Sequence, residues 1–178
     1  MVIGLNYLLP KVNNGEIIQG LSARELKKPE GVGFDLRIDE LYRITSSGYL
    51  GVEERETSKV ELVGKVSANK SAIEMLPGEY YLAKTIETVA LDSDMVGVFH
   101  PRSTLFRSGV VFQSGVQPPG FKGQLTFGIY VAGPHPFYLE MGARIAHINI
   151  FRVEGDSEPY RGQWQGGRVS TDGNETQV

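Results

Sequence analysis

The sequence predicts an all-β fold of the barrel, sandwich or jelly-roll kind, from three observations. Short runs rich in Val, Ile, Tyr and Phe recur along most of the chain. Twenty-two glycines and nine prolines cut those runs apart, as the turns of such a fold require. Helix signals are few. A length of 178 residues fits one domain with enough chain to bury a core of its own.

Taken in order, Ser22 is placed to cap a short helix over 23–28, which Pro29 and Gly31 would end. A second, weaker helix is expected over 68–75. Strands are expected over 33–44, 79–90, 95–100, 109–113, 124–131, 137–139 and 144–153. Some of these, such as Val110-Val111-Phe112 and Ile145-Ala146-His147-Ile148, read as apolar on both faces. They need cover on both, and a second subunit would supply it. After Val153 the chain turns polar and Gly-rich except around Tyr160-Arg161-Gly162-Gln163-Trp164-Gln165. The division expected is a β domain over 1–153 and a C-terminal arm over 154–178. A frayed end rarely spends the only tryptophan of a chain, so the arm is expected to dock.

Composition excludes several functions. A net charge of -3 and a pI near 5.7 supply no basic field for nucleic acid. Without cysteine there is no disulfide, thiolate nucleophile or Cys-bound zinc. The first residues lack the charged start and apolar run of a signal peptide, and no stretch reaches the length of a membrane span. The expectation is a soluble cytoplasmic protein with no membrane partner.

One stretch departs from the rest. Between Asp94 and Glu140 there is no acidic residue, yet Arg102, Ser103, Thr104, Arg107 and Lys122 lie there, with Gly115, Gly120 and Gly123. Cations, hydroxyls and exposed backbone suit a polyanion such as a nucleoside triphosphate. The same stretch lacks the carboxylate that hydrolysing or deaminating such a ligand usually requires. Binding is easier to argue from it than catalysis.

Five ordered segments resemble the motifs of the trimeric dUTPase and dCTP deaminase superfamily, its archaeal members above all. They are Gly33-Phe34-Asp35-Leu36-Arg37, Pro101 to Gly109, the hairpin Gly115 to Gly123, Gly142 to His147, and Pro159 to Gly166. Any one alone is weak; their order is specific, and they span most of residues 31 to 170. The resemblance implies a distorted jelly-roll barrel, a homotrimer with sites shared between subunits, and dUTP or dCTP as ligand with Mg²⁺ on the triphosphate.

By the same resemblance Arg102, Ser103 and Thr104 hold the triphosphate, for which a guanidinium fork is well shaped. Gly115 belongs to the base-reading loop, and Phe121 takes the place of the aromatic that packs on deoxyribose. Tyr160, Arg161 and Gln165 belong to the arm that closes on the ligand. Arg107 matches an arginine that assists chemistry in the deaminase branch, though it would equally suit a subunit contact. Asp35 supports either magnesium or the neighbouring arginine, or else holds the backbone of the Gly33 turn. Gly115 and Gly120 permit the backbone turns of the hairpin, while Pro118 and Pro119 stiffen it.

Both catalytic acids of the family are replaced. The hydrolase Asp falls at Pro118 and the deaminase Glu at Gly128, and neither accepts a proton. Loss of a general base costs about 10²–10⁴ in rate. Gln117 is the candidate to orient a water in its place, with His100 a further proton acceptor and His147 read as a packed residue. Three readings stay open. They are a dUTP diphosphatase using Gln117, Arg107 and Asp35, a non-catalytic deoxynucleotide-binding regulator, and, third, a dCTP deaminase.

Overall fold

The structure, a computed structural model, describes residues 1–66 and 72–177. In chain order the elements are α1 (Leu5–Asn13), β1 (Ile18–Gln19), α2 (Ala23–Lys27), β2 (Gly33–Ile44), β3 (Tyr49–Leu50), β4 (Glu54–Glu56) and β5 (Val60–Lys65). There follow β6 (Ala72–Met75), β7 (Tyr80–Ala90), β8 (Met95–Pro101), α3 (Ser103–Arg107), β9 (Val110–Gln113) and β10 (Lys122–Val131). The chain ends with β11 (Phe137–Glu140), β12 (Arg144–Arg152) and β13 (Glu175–Thr176).

The main sheet runs β8-β12-β2-β7-β10-β9, with β1 added to β7 and β5 to β2. Every ladder in it is antiparallel. The long strand β2 joins its two halves. Residues up to Arg37 pair with β12, and from Ile38 onward the strand pairs with β7 and β5. A register shift at that point bends the strand, and the sheet wraps into a nearly closed, distorted jelly-roll barrel. Phe34, Leu36, Ile38 and Leu41 of β2 are fully buried along the bend, with Tyr81, Ile129 and Ile148 from neighbouring strands. No described helix is long and apolar enough to cross a membrane.

Helix α2 forms as the capping signal predicts: Ser22 Oγ accepts from Glu25 N at 3.3 Å. Helix α1 has no such signal. Gly4 gives it no side-chain cap, and Pro10 removes one of its hydrogen bonds. It forms because Leu8 and Val12, one turn apart, bury against the core, stabilising it by about 1.5–3 kcal/mol each. Helix α3, a single turn inside the Pro101 to Gly109 segment, is likewise held by burial, here of Leu105.

The helix expected over 68–75 is corrected: Ala72–Met75 is a strand paired with β11, while 67–71 lie outside the described residues. Met75 enters the core and Ile73 packs against it, whereas Ala72 and Glu74 are exposed, a period of two that four residues are too short to announce. Cover for the apolar strands comes largely from within the chain. Ile145, Ala146 and Ile148 are buried, and only Val111 of the 110–112 run stays 40% exposed.

Candidate functional site

A cavity of about 660 Å³ opens between the 115–121 hairpin, the start of β10, the β3–β4 hairpin and the C-terminal arm. The hairpin is fixed at its base by a two-way backbone bridge between Gln117 and Gly97 of β8, at 2.9 and 3.0 Å. Gln117 is only 2% exposed, and its amide Nε2 donates to Phe121 O at 3.4 Å. It therefore braces the loop as well as lining the cavity. Gly120 adopts a positive φ of 79°, as the loop was expected to need, but Gly115 does not.

The arm docks on this hairpin. Tyr160 N donates to Pro119 O at 2.7 Å, and the Tyr160 ring meets Phe121 edge-on with centroids 5.5 Å apart. Gln165 clasps the loop from both ends: its Oε1 accepts from Lys122 N at 2.8 Å and its Nε2 donates to Gly120 O at 2.9 Å. Gly166 N donates to Lys122 O at 2.9 Å, and Gly123 bridges Gly166. A Cβ on Gly123 would lie 2.5 Å from the Gly166 carbonyl carbon, so only glycine admits this approach. Trp164 lines the cavity, with the Arg55 guanidinium 4.8 Å from its ring centroid and that of Arg168 at 5.9 Å. Arg161 is exposed and makes no ion pair among the described residues.

A second cluster gathers around Asp35, which is 1% exposed. Its carboxylate receives Arg102 Nη1 at 2.9 Å and Arg144 Nη1 at 2.7 Å, and faces His147 Nδ1 at 2.8 Å. Glu25, also 1% exposed, accepts Asp35 N at 3.0 Å and pairs with Arg24 at 3.3 Å. Arg102 is therefore held from behind by a buried acid. It keeps part of its fork toward solvent, its side chain being 31% exposed. Ser103, Thr104 and Arg107 sit on α3 beside it and are exposed; Arg107 lies over the Phe106 ring at 5.8 Å.

The expected site residues thus fall into two groups. Gly115, Gln117, Phe121 and Tyr160 line the cavity, with Gln165 on the loop edge. Asp35, Arg102, Ser103, Thr104 and Arg107 do not line it. The nearest link is β8, where Phe99 lines the cavity and Arg102 follows three extended residues later, about 10 Å along the strand.

The cavity walls are chiefly aromatic and aliphatic. Among the described residues Arg168 is their only charged side chain, and no carboxylate lines them. Thr126 Oγ1 is buried there without a hydrogen-bond partner. Gly128, on the same face of β10 two residues on, is crossed by Tyr80 of β7. A Cβ at Gly128 would stand 1.8 Å from the Tyr80 hydroxyl oxygen, and burial pushes that phenol's pKa up. Nothing in the sequence joins these two residues; the β7–β10 register, which sets Gly128 opposite Leu82 and Tyr80 opposite Tyr130, makes them diagonal neighbours. No group of three or more His, Asp or Glu side chains suited to a metal occurs among the described residues, and both Asp35 oxygens are engaged by cations.

A family model described as dCTP deaminase-like matches residues 12–153. The probable deoxyuridine 5'-triphosphate nucleotidohydrolase of Aeropyrum pernix is 35% identical over 135 residues, covering 75% of this chain and 82% of the relative. Its counterpart from Methanothermobacter thermautotrophicus is 33% identical over 141 residues, 79% and 89% of the two chains. The dCTP deaminase of Pyrococcus furiosus is 33% identical over 162 residues, 89% and 92%. In fold, the chain resembles the 2'-deoxycytidine 5'-triphosphate deaminase of Agrobacterium tumefaciens, with a TM-score of 0.64 at 18% identity over 86% of this chain. This chain spans about half of that one, 48%. The native EIAV dUTPase gives 0.52 at 15% identity, over 83% of this chain and 96% of that one.

Proposed function

The chain belongs to the dCTP deaminase-like family, within the dUTPase and dCTP deaminase superfamily, and from that premise we propose that it binds a pyrimidine deoxynucleoside triphosphate and acts as a dUTP diphosphatase. The observation that carries the choice between the two family activities is the crossing of Gly128 by Tyr80. By resemblance the deaminase glutamate falls at Gly128, and the Tyr80 phenol takes the space a side chain there would need. Deaminating cytosine needs such a proton shuttle. Attack of water on an α-phosphorus relies more on positioning and charge neutralisation.

In this reading the water oxygen bonds to the α-phosphorus of dUTP, the bridging α–β bond breaks, and pyrophosphate leaves with that bridging oxygen. The water proton goes to solvent. Magnesium enters as part of the substrate, chelated by phosphates. Phe121 and Tyr160 pack on the nucleoside, and Trp164 closes the roof. Arg102, Ser103 and Thr104 take the phosphates, with Arg107 and Arg161 supporting them and Asp35 holding Arg102 in place. Residues 154–178 serve as the arm on a β domain of 1–153. Because the phosphate-binding group lies outside the cavity, we assign its contribution to a neighbouring copy in a homotrimer.

A second reading, a non-catalytic nucleotide-binding regulator, is favoured by one observation: the Gln117 amide is spent on Phe121 O. Product analysis with Mg²⁺ and, separately, dUTP, dCTP, dTTP and UTP decides. The expected result is dUMP and pyrophosphate from dUTP, with dCTP left undeaminated. Tight binding of dUTP without turnover establishes the regulator instead, and deoxyuridine products from dCTP overturn the choice.

A further inference from the structure

Helix α2 lies outside the five motif segments, yet it brings an arginine and a carboxylate to the Asp35 cluster. Arg24 Nη1 meets Glu25 Oε1 at 3.3 Å and stands 3.8 Å from Asp35 Oδ2. Arg144 Nη1 reaches Asp35 Oδ2 at 2.7 Å and lies 4.0 Å from Glu25 Oε1. Arg102 Nη1 is 2.9 Å from the same Asp35 carboxylate. Three guanidinium groups thus converge on two buried acids. The Ser22 cap fixes the turn that carries Glu25. The Glu25 side chain could close a capping box by bonding back to Ser22 N; it goes instead to Asp35 N, at 3.0 Å.

Neutralising two carboxylates takes two cations, and here there is a third. Each arginine commits only Nη1 to an acid. Among the described residues their Nε and Nη2 groups donate no hydrogen bond to the protein. The Arg24, Arg102 and Arg144 side chains are 51%, 31% and 33% exposed, so those donors face solvent. Two further groups stand nearby. His147 Nδ1 faces Asp35 and adds no negative charge. Glu30 is 72% exposed and 3.9 Å from Arg24 Nη2, a surface contact that a ligand displaces at little cost.

A fork that binds bidentately takes two oxygens. Three such forks together call for about six, and one phosphate group offers about three. The arrangement suits a chain of phosphates and leaves a single one underserved. Held by buried acids, the forks also have little rotamer freedom left to lose on binding.

We propose that Arg24 is a phosphate-binding residue, and that Arg24, Arg102 and Arg144 form one seat for a polyphosphate chain. The proposal rests on the reading of Arg102 as a phosphate ligand and adds two arginines, one from outside the motifs. Glu25 and Asp35 are positioning residues that hold the forks without touching the ligand. A triphosphate spans the seat and a monophosphate does not, so the seat selects nucleotides by phosphate number. Hydrolysis of dUTP then loosens the hold on its own product.

Calorimetric titrations of the full chain with tripolyphosphate, pyrophosphate, phosphate, dUTP and dUMP, at one Mg²⁺ concentration, test this. In the unaltered protein the inorganic anions should bind in the order tripolyphosphate, pyrophosphate, phosphate. Equal affinities, or no binding of tripolyphosphate, overturn the seat. Arg24→Ala should weaken dUTP and tripolyphosphate by about tenfold each, the worth of one charge-assisted contact, and dUMP far less. An unchanged dUTP affinity removes Arg24 from the seat, and an equal loss for dUMP overturns selection by phosphate number. Should the alanine variant unfold, Arg24→Lys keeps a cation beside Glu25. It should still bind tripolyphosphate severalfold more weakly, because an ammonium cannot fork, and unchanged affinity overturns the assignment.

The nucleoside reading fails separately. If Arg24→Ala loses tripolyphosphate but dUTP never binds more tightly than tripolyphosphate, the seat stands and the nucleoside pocket does not. If Phe121→Ala weakens dUTP while Arg24→Ala leaves it unchanged, the pocket stands and the seat is overturned.

Discussion

At the scale of single residues, the proposed choice of chemistry turns on Gly128 and Tyr80. The phenol occupies the place where any β-carbon on Gly128 would stand. Gly128→Glu alone is therefore expected to yield no dCTP deamination and to destabilise the fold by about 1–3 kcal/mol through overpacking. Adding Tyr80→Ala should recover part of that loss; thermal unfolding of the three variants measures it. Arg102 is the complementary case. Its fork is oriented by Asp35, which keeps Arg144 and His147 when Arg102 is removed. Arg102→Ala should weaken dUTP binding about 10- to 100-fold, the worth of one charge-assisted contact, with the fold retained. Calorimetry beside a melting curve reads both, and unchanged affinity would sink the assignment of phosphate binding to α3.

Among the elements, the arm depends on two local features. The first is the contact between Gly123 and Gly166, where backbones meet too closely for a side chain. Gly123→Ala should detach the arm while leaving the barrel intact, seen as increased exchange at Gly166 and a red-shifted Trp164 emission. The second is the pairing of Arg168 with Glu175, which holds that carboxyl below its ordinary pKa of 4.5. Arg168, Asp172 and Arg55 are the charged groups facing it. A depressed carboxyl pKa stabilises the docked state above the unfolded value, and the contribution is lost as pH falls through the folded one. Tail docking should therefore hold at neutral pH and weaken below about pH 4.5, the unfolded value, followed by Trp164 fluorescence on acid titration.

For the whole molecule, the open matter is how α3 and the cavity come together. Chains carrying Arg102→Ala and chains carrying Phe121→Ala should each bind dUTP poorly. If a site takes its arginine from one copy and its hairpin from the next, equal mixtures reassembled at random restore about a quarter of the sites to full affinity. If a site is built within one chain, mixing restores none. Calorimetric titration of the mixture separates the two.

The sequence by itself determined the all-β class, most of the long strands, the capped helix after Ser22 and the motif order that led to the superfamily. These are local signals: turn residues, caps and apolar runs act through neighbouring backbone, so they survive in one dimension. The resemblance also put the replaced acids at Pro118 and Gly128. The tertiary structure alone decided the side-chain meetings around the candidate site. Tyr80 meets Gly128 through the β7–β10 register, Asp35 gathers Arg102, Arg144 and His147 where β2 lies against β12, and Gln117 closes on Gly97 across the hairpin. Helix α1 and the short strands β3, β4 and β13 were illegible for the same reason. Their residues carry weak intrinsic preference, and they take their form from burial and pairing partners distant in the chain.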